Sequence, residues 1–450
     1  MRLKTTLTIL LLLAVVAEAP LWGQTRSLDL TTFVVVGEGL AAGMADFALK
    51  RGNQEKSFPA VMAKQMNTHF PQPLIQSPGI GVSPGYPVLP PVVTLHRQTT
   101  VRESAFNLFV FNLSIPGAKL SDAIHRRPGN PVVQADDAQQ TVTNLLIGFP
   151  SLVLTEDVPL WTQLEYAQRM FPTLILVELG YVEVLEAAIK NDPAQLPAVA
   201  SFRADYTRLI SGLASTFAEM IVLTIPDPID TGYFSSQDTA ASIIGAPASV
   251  LRSLYKLNSG DLLTPHGLVA IATQIEAGKI AALPSGSVVS AATASQVSAR
   301  VVALNAEITS LAQANRAIVY NLAALFRRVK TPGVAVGTRT VTADYHFGGF
   351  YSLDGYYPNA AGHALIANEL LALVNQTYGR TFAAVDASLL LPTDPIGKSY
   401  ASRRAYTTDE LQKLIPNFQE LMKEEVPEDP ASAPQNRRPV SPTGSNGGQE

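Results

Sequence analysis

An apolar run that ends in a glycine turn constrains this chain more than any other feature. The run Phe33–Gly37 reads Phe-Val-Val-Val-Gly, and Glu38, Gly39 and Leu40 follow it directly. A short β-branched run of this kind is typical of a strand that is buried on both faces. The glycines predict a tight turn at the carboxyl end of that strand, which is where open α/β sheets form their clefts.

Further apolar, β-branched runs are spaced along the chain, separated by segments with helical spacing. These runs are Asn107–Leu113, Thr173–Leu179, Met220–Ile225 and Ala317–Leu322. Helical periodicity is clearest in Ala294–Arg316 and in Asn359–Val374, where Asn359 is placed to cap the helix. Strands that alternate with helices predict a three-layer α/β/α domain with a parallel sheet of about five strands.

Composition excludes several classes of function. The chain has 450 residues, of which 47% are hydrophobic and 16% charged, as expected for a globular protein with a large core. Its formal net charge of −4 gives no strong basic field, so nucleic acid is not expected as a partner. Cysteine is absent and the histidines are scattered, so we predict no disulfide, no metal site and no cofactor.

The two ends of the chain differ from its middle. Residues 1–24 carry Arg2 and Lys4 before the apolar stretch Thr8–Val16, which predicts a signal peptide and a secreted or periplasmic protein with no membrane span after its removal. An uncleaved N-terminal anchor is the alternative. We expect one domain over 25–384 with a helical insertion at about 232–293, and an extension with a short helix over 385–425. Residues 426–450 are predicted to be disordered.

Four short segments follow one another in an order that is informative as a set. They are Gly37-Glu38-Gly39-Leu40, Asn112-Leu113-Ser114-Ile115-Pro116-Gly117-Ala118, Val177-Glu178-Leu179-Gly180-Tyr181-Val182-Glu183 and Asp354-Gly355-Tyr356-Tyr357-Pro358-Asn359. In these segments the chain resembles the SGNH/GDSL-type hydrolases, a lipase/esterase-like family, over roughly Asp29 to Gly379. The resemblance implies a flavodoxin-like α/β/α fold and a site for ester hydrolysis.

The departures from the family pattern fall on its reactive positions. The family uses a serine nucleophile, a glycine N–H and an asparagine side chain as oxyanion donors, and an Asp/His pair as the base. By position these roles would fall in this chain on Gly39, Gly117, Val182, Asp354 and Tyr357. Serine, asparagine and histidine are therefore replaced, while the aspartate and the oxyanion glycine remain. The resemblance thus implies a degenerate site, in which the N–H groups of Gly39 and Gly117 could still bind a ligand.

Three functions remain open from the sequence. The first is an exported pseudoenzyme that binds a small acyl, lipid or glycan ligand in the old cleft. The second is an active ester hydrolase that uses displaced residues, with His346 or His363 near Asp354. Its variant is a carboxylate mechanism built from Glu38, Glu183 and Asp354, since paired acids carry out glycoside hydrolysis. The third is an interaction protein whose cleft is filled by Tyr357. We expect His363 to pack within its helix with one nitrogen satisfied, and Glu38 to anchor its turn through hydrogen bonds.

Overall fold

The computed structural model of the protein describes residues 27–77, 79–81, 109–149, 152, 160–345, 348–391 and 405–423. The predicted signal peptide, the predicted disordered tail and His346 lie outside these residues. Strands, in chain order, are β1 Phe33–Gly37, β2 Leu174–Glu178, β3 Glu219–Leu223, β4 Leu262–Leu263, β5 Val288–Val289, β6 Ile318–Tyr320, β7 Val334–Val336 and β8 Arg339–Val341.

Helices surround these strands, and three single 3₁₀ turns lie at Pro193–Gln195, Pro228–Asp230 and Ala387–Leu390. The helices are α1 Gly39–Ala42, α2 Arg51–Gln54, α3 Phe58–Gln65, α4 Leu120–His125, α5 Ala138–Ile147, α6 Gln163–Arg169, α7 Tyr181–Ile189, α8 Val199–Ala214, α9 Gln237–Ile244, α10 Ala248–Tyr255, α11 Pro265–Glu276, α12 Ala291–Ala314, α13 Leu322–Lys330, α14 Ala360–Tyr378, α15 Thr408–Leu414 and α16 Phe418–Leu421. No helix in the described part combines the length and the apolarity needed to cross a membrane.

The main sheet is parallel and has the strand order β1-β2-β3-β6. Every residue of β1 and β2 is buried. Because successive side chains of a strand point to opposite faces, both faces of the sheet must be covered. Helix α8 packs against both α6 and α12, and α3 packs separately against α14. The predicted α/β class and parallel sheet are therefore confirmed.

The prediction of about five strands is not borne out in the described residues, where the sheet has four. The described part of the predicted strand Asn107–Leu113 forms only a parallel bridge of Asn112 with Val35, whose N–H donates to the Phe111 carbonyl at 2.8 Å. The Leu113 N–H donates back to Val35 O at 2.9 Å. The segment then turns away, since Ala118 N–H closes a turn onto Ile115 O at 3.1 Å.

The insertion predicted at 232–293 has its own apolar cluster. It holds α9, α10 and α11 together with the antiparallel pair β4–β5, which the sequence patterns did not predict. Side chains such as Leu251 and Ile271 form this cluster, and Leu411, Ile415 and Phe418 complete it. We call it the insertion cluster. The C-terminal extension thus packs onto the insertion, while the domain boundaries themselves stay predictions.

The predicted cap at Asn359 agrees with the capping observed. The Asn359 side chain accepts hydrogen bonds from the N–H groups of Ala361 and Gly362 at the start of α14. At the start of α15, Thr407 and Glu410 form a reciprocal capping box. The β7–β8 hairpin was not predicted, because its short alternating strands are too brief for a period to stand out.

Candidate functional site

The four segments that carry the family resemblance meet at the carboxyl edge of the main sheet. Gly37 and Glu178 are paired at the ends of β1 and β2, so the first and third segments begin side by side. The Ile115 N–H of the second segment donates to Gly37 O at 3.1 Å. The Tyr181 hydroxyl donates to the Tyr356 carbonyl at 3.1 Å and so contacts the fourth.

Tyr357 occupies the space next to Gly39. An ideal Cβ built on Gly39 would lie 2.4 Å from the Tyr357 hydroxyl oxygen and 2.7 Å from its Cζ, closer than atoms can approach. The ring of Tyr357 is buried and packs edge-on against Tyr356 and Tyr181, with ring centroids 5.0 and 6.2 Å away. Of the arrangements expected from the sequence, the described structure has the one in which the cleft at Gly39 is filled by tyrosine.

The two remaining oxyanion positions have structural tasks. Val182, at the position that the resemblance assigns to an asparagine, is buried in the first turn of α7. Gly117 has a φ of 76°, a left-handed value that favours glycine, within the turn that joins Ile115 to Ala118. The turn alone accounts for glycine there.

Asp354 is fully buried and serves its own turn. One of its carboxyl oxygens accepts hydrogen bonds from the N–H groups of Tyr356 at 3.0 Å and Tyr357 at 2.8 Å. The other oxygen has no hydrogen-bond partner among the described residues. Burial raises the pKa of Asp354 to about 7. The aspartate therefore fixes the backbone that carries Tyr357.

Glu38 anchors its turn as expected. Its carboxyl oxygens accept from the N–H of Tyr181 at 2.6 Å and from that of Val182 at 3.0 Å, at the amino end of α7. Glu178, which the sequence analysis did not single out, accepts from the N–H groups of Glu38 at 3.3 Å and Ala41 at 3.0 Å. A glutamate that ends an otherwise apolar strand was the signal that could have identified it.

Burial and mutual repulsion disfavour the ionised forms of three carboxyl groups, those of Glu38, Glu178 and Glu183. Burial raises the pKa of Glu38 well above its usual range, and the charges of Glu178 and Glu183 raise it further. Burial also raises the pKa of Glu178 to about 8 and that of Glu183 to about 7. The backbone N–H bonds that these carboxyl groups accept lower their pKa values only in part. We call these residues the carboxyl trio.

Neither histidine considered as a displaced base is placed for that role. His363 is buried in α14 with its ring stacked on Phe58 at 6.0 Å between centroids, and neither ring nitrogen has a partner among the described residues. The expectation of one satisfied nitrogen was wrong, because the ring packs among apolar groups. Burial lowers the pKa of His363 to about 3, so the ring is neutral. His346 lies outside the described residues.

One other hydroxyl lies at the tip of β1. The Ser114 hydroxyl oxygen would be 2.8 Å from a Cβ built on Gly37, and it is buried without a hydrogen-bond partner in the described structure. It therefore bonds to no histidine or carboxylate there that could activate it. The described residues also contain no cluster of three His, Asp or Glu side chains able to hold a metal ion.

Open space occurs further along the same edge of the sheet. A cleft of about 610 Å³ lies beyond the carboxyl ends of β3 and β6, between α12 and α13. Its lining includes Thr224, Asn305 and Asn321, and none of the residues that the resemblance assigns to catalysis.

Comparison with known proteins yields no family assignment. No protein-family model and no curated protein matches the chain. One similar solved structure is LAE5, an alpha/beta hydrolase enzyme from the metagenome of Lake Arreo, Spain, with 12% identity and a TM-score of 0.36 over 79% of this chain and 98% of that one. Another is phospholipase A1 from Streptomyces albidoflavus NA297, with 12% identity and a TM-score of 0.30 over 78% and 100%. At TM-scores this low, neither the activity nor the site residues of these proteins can be assigned to this chain.

The contact between Gly39 and Tyr357 predicts a strong coupling. Gly39→Ala should destabilise the protein by about 1–3 kcal/mol, because the added methyl overpacks against the ring. In a Tyr357→Ala background the same change should cost far less, so the double-mutant cycle should give a coupling of about 1–3 kcal/mol. Urea unfolding of the four forms measures it. Gly52→Ala is the control, since a Cβ there meets nothing within 4 Å. Additive effects would contradict a filled site.

The carboxyl trio predicts that stability falls as pH rises. The pKa of Glu178 is about 8 in the folded state against 4.5 for an ordinary glutamate, so between these values only the unfolded chain loses the proton. The unfolded state therefore gains stability across that interval. Glu178→Gln, which keeps the shape and stays neutral, should make the slope of unfolding free energy shallower by up to about 1.4 kcal/mol per pH unit.

Denaturant titrations from pH 5 to pH 8 measure this slope. Glu276→Gln, at an exposed position of α11, is the control and should leave the profile parallel to that of the parent. A Glu178→Gln profile parallel to the parent would show that Glu178 is ionised in the folded protein.

Proposed function

We propose that this chain is an exported, catalytically inactive protein of the SGNH/GDSL-hydrolase type that acts by binding rather than by chemistry. The observation that carries the proposal is the Tyr357 ring in the space beside Gly39. There is no side chain at Gly39 to attack an ester, and no room for one. The order of the four segments at one sheet edge supports the family type, and residues 1–24 support export.

The size of the rate loss expected at the replaced positions favours inactivity. Removing the nucleophile or the base of a triad lowers the rate by about 10⁶. Tyr357 cannot replace the base, because burial raises the pKa of its phenol well above its usual range. The phenol is therefore protonated at neutral pH and cannot accept a proton. Val182 offers only its backbone N–H, and Glu38 already accepts that bond. Each of the three replaced positions thus lacks the group that the reaction needs.

An active hydrolase with displaced residues has less support. It would need Ser114 or another hydroxyl to be activated by His363, yet that ring stacks on Phe58 and bonds to nothing described. Paired-acid chemistry by the carboxyl trio would need a substrate to reach groups that are buried and already bound to backbone N–H groups.

Ligand binding in the old cleft requires that Tyr357 move. With the ring displaced, the space between Gly39, Val182 and the Tyr181 ring would be apolar, with backbone N–H groups at its edge. An acyl chain with a carbonyl or carboxylate end fits that description better than a glycan does. We therefore propose an acyl or lipid ligand for this site, and a glycan as the second candidate.

Ester hydrolysis is the direct test of inactivity. We expect the purified protein to hydrolyse short and long p-nitrophenyl esters no faster than its Asp354→Asn and His363→Ala variants, because none of these residues acts on a nucleophile. Initial rates at several protein concentrations measure this. Turnover in the parent that either substitution abolishes would support the displaced-residue enzyme instead.

Thermal unfolding tests the ligand. Octanoate should raise the melting temperature of Tyr357→Ala more than that of the parent, because removal of the ring opens an apolar space that binds without displacing it. Maltotriose serves as the glycan probe. Ala306→Trp, which narrows the separate cleft between α12 and α13, is the control and should leave the octanoate effect unchanged. An effect lost in Ala306→Trp and unchanged in Tyr357→Ala would assign the ligand to that other cleft.

A further inference from the structure

Two phenylalanine side chains project into solvent at the amino-terminal edge of the main sheet, opposite the edge that carries Gly39 and Tyr357. Phe171 is 82% exposed and Phe217 is 96% exposed. Phe171 lies in the turn between α6 and β2, and Phe217 lies in the turn between α8 and β3. Both turns enter the sheet at the amino ends of its strands. Large apolar side chains exposed to this degree need an explanation when they occur together.

Both phenylalanines adopt a left-handed backbone conformation. Their φ angles are 48° for Phe171 and 61° for Phe217. Bulky residues rarely adopt this region, which costs about 1–2 kcal/mol relative to glycine and less for asparagine. A solvent-exposed turn could use asparagine or glycine at no cost to packing. The chain therefore retains two aromatic rings where neither backbone nor core requires them.

The two turns are neighbours in space. The Gln168 side-chain amide of α6 donates to the Gly212 carbonyl of α8 at 2.8 Å, just before the turns begin. The Glu219 N–H donates to the Thr173 carbonyl at 3.1 Å, just after they end. Phe171 and Phe217 are thus held between two adjacent cross-links. We call them the phenylalanine pair.

Arginines flank the phenylalanine pair along the same edge. Arg169 is exposed at the end of α6, and Arg316 directly precedes the residues that lead into β6. Arg380, after α14, reaches the carbonyl of Leu28 at 2.7 Å near the start of β1. Among the described residues, the acidic groups on this edge include Asp29, bonded to Thr31, and Glu219, which accepts from Tyr378 at 2.8 Å. The three arginines outnumber these two carboxylates, although the whole chain carries −4.

The size of the phenylalanine pair limits what can cover it. Two phenylalanine side chains offer about 300–500 Å² in total. A stable protein interface needs about 800 Å² from each partner, so a second copy of this chain would not be held by the pair alone. Two adjacent rings on rigid turns, with arginines beside them, match the chemistry of the headgroup–acyl boundary of a bilayer that contains anionic lipid.

We propose that the amino-terminal edge of the sheet docks on an anionic lipid surface, with Phe171 and Phe217 inserted at the acyl boundary. The arginines of this edge contact the headgroups. Docked in this way, the protein turns the Gly39–Tyr357 site away from the lipid. The proposal is independent of what binds in the old cleft.

Vesicle co-sedimentation of the full chain tests the proposal. We expect it to bind vesicles of phosphatidylcholine mixed with phosphatidylglycerol more tightly than vesicles of phosphatidylcholine alone, and less tightly as salt is added. The double variant Phe171→Asn/Phe217→Asn should bind at least about tenfold more weakly. Its melting temperature should not fall, because asparagine tolerates the left-handed conformation, so weaker binding cannot be attributed to unfolding.

Leu389→Asn provides the matched control. Leu389 is 82% exposed but lies outside both turns, and its substitution should leave binding unchanged. Equal loss in this control, or unchanged binding in the double variant, would overturn the proposal. A dimer in analytical ultracentrifugation that the double variant dissociates would identify a second copy as the occupant and also overturn it.

Discussion

The carboxyl group of Glu38 links the ends of β1 and β2, beside which Gly39 and Tyr357 lie. It leaves the end of β1 and accepts the N–H groups at the start of α7, which follows β2. Glu178 returns the contact from β2 to the turn after β1. No core packing could replace these bonds, since a buried helix start with unpaired N–H groups costs several kcal/mol. The position of Gly39, Val182 and Tyr181 follows from this reciprocal arrangement.

Two acidic residues in the segments that carry the family resemblance have a clear structural role. Glu38 and Asp354 each bind two backbone N–H groups that would otherwise be buried and unpaired. Replacing either residue would leave those N–H groups unpaired. Tyr357 contributes by packing instead, since its ring fills the space beside Gly39.

Much of this could be predicted from the sequence, because it depends on local patterns. The strand at Phe33–Gly37 and the cap at Asn359 follow from residues within a few positions, and the anchoring role of Glu38 was implied by the family resemblance. What could not be predicted depends on contacts between distant segments. The burial of the carboxyl trio, the ring of Tyr357 against Gly39 and the apolar surroundings of His363 arise only when the segments meet. The prediction of a strand near Asn112 was wrong for a similar reason. An apolar run does not determine how many of its residues pair with a neighbouring strand, and here the described residues form a single bridge.

The insertion cluster has a consequence for the order in which the molecule matures. Leu251 and Ile271 are synthesised well before Leu411, Ile415 and Phe418, yet they share one apolar core with them. Until α15 and α16 have been synthesised, that surface of the insertion stays exposed to water. Truncation before Leu411 would therefore leave the insertion cluster incomplete even though every strand of the main sheet would be present.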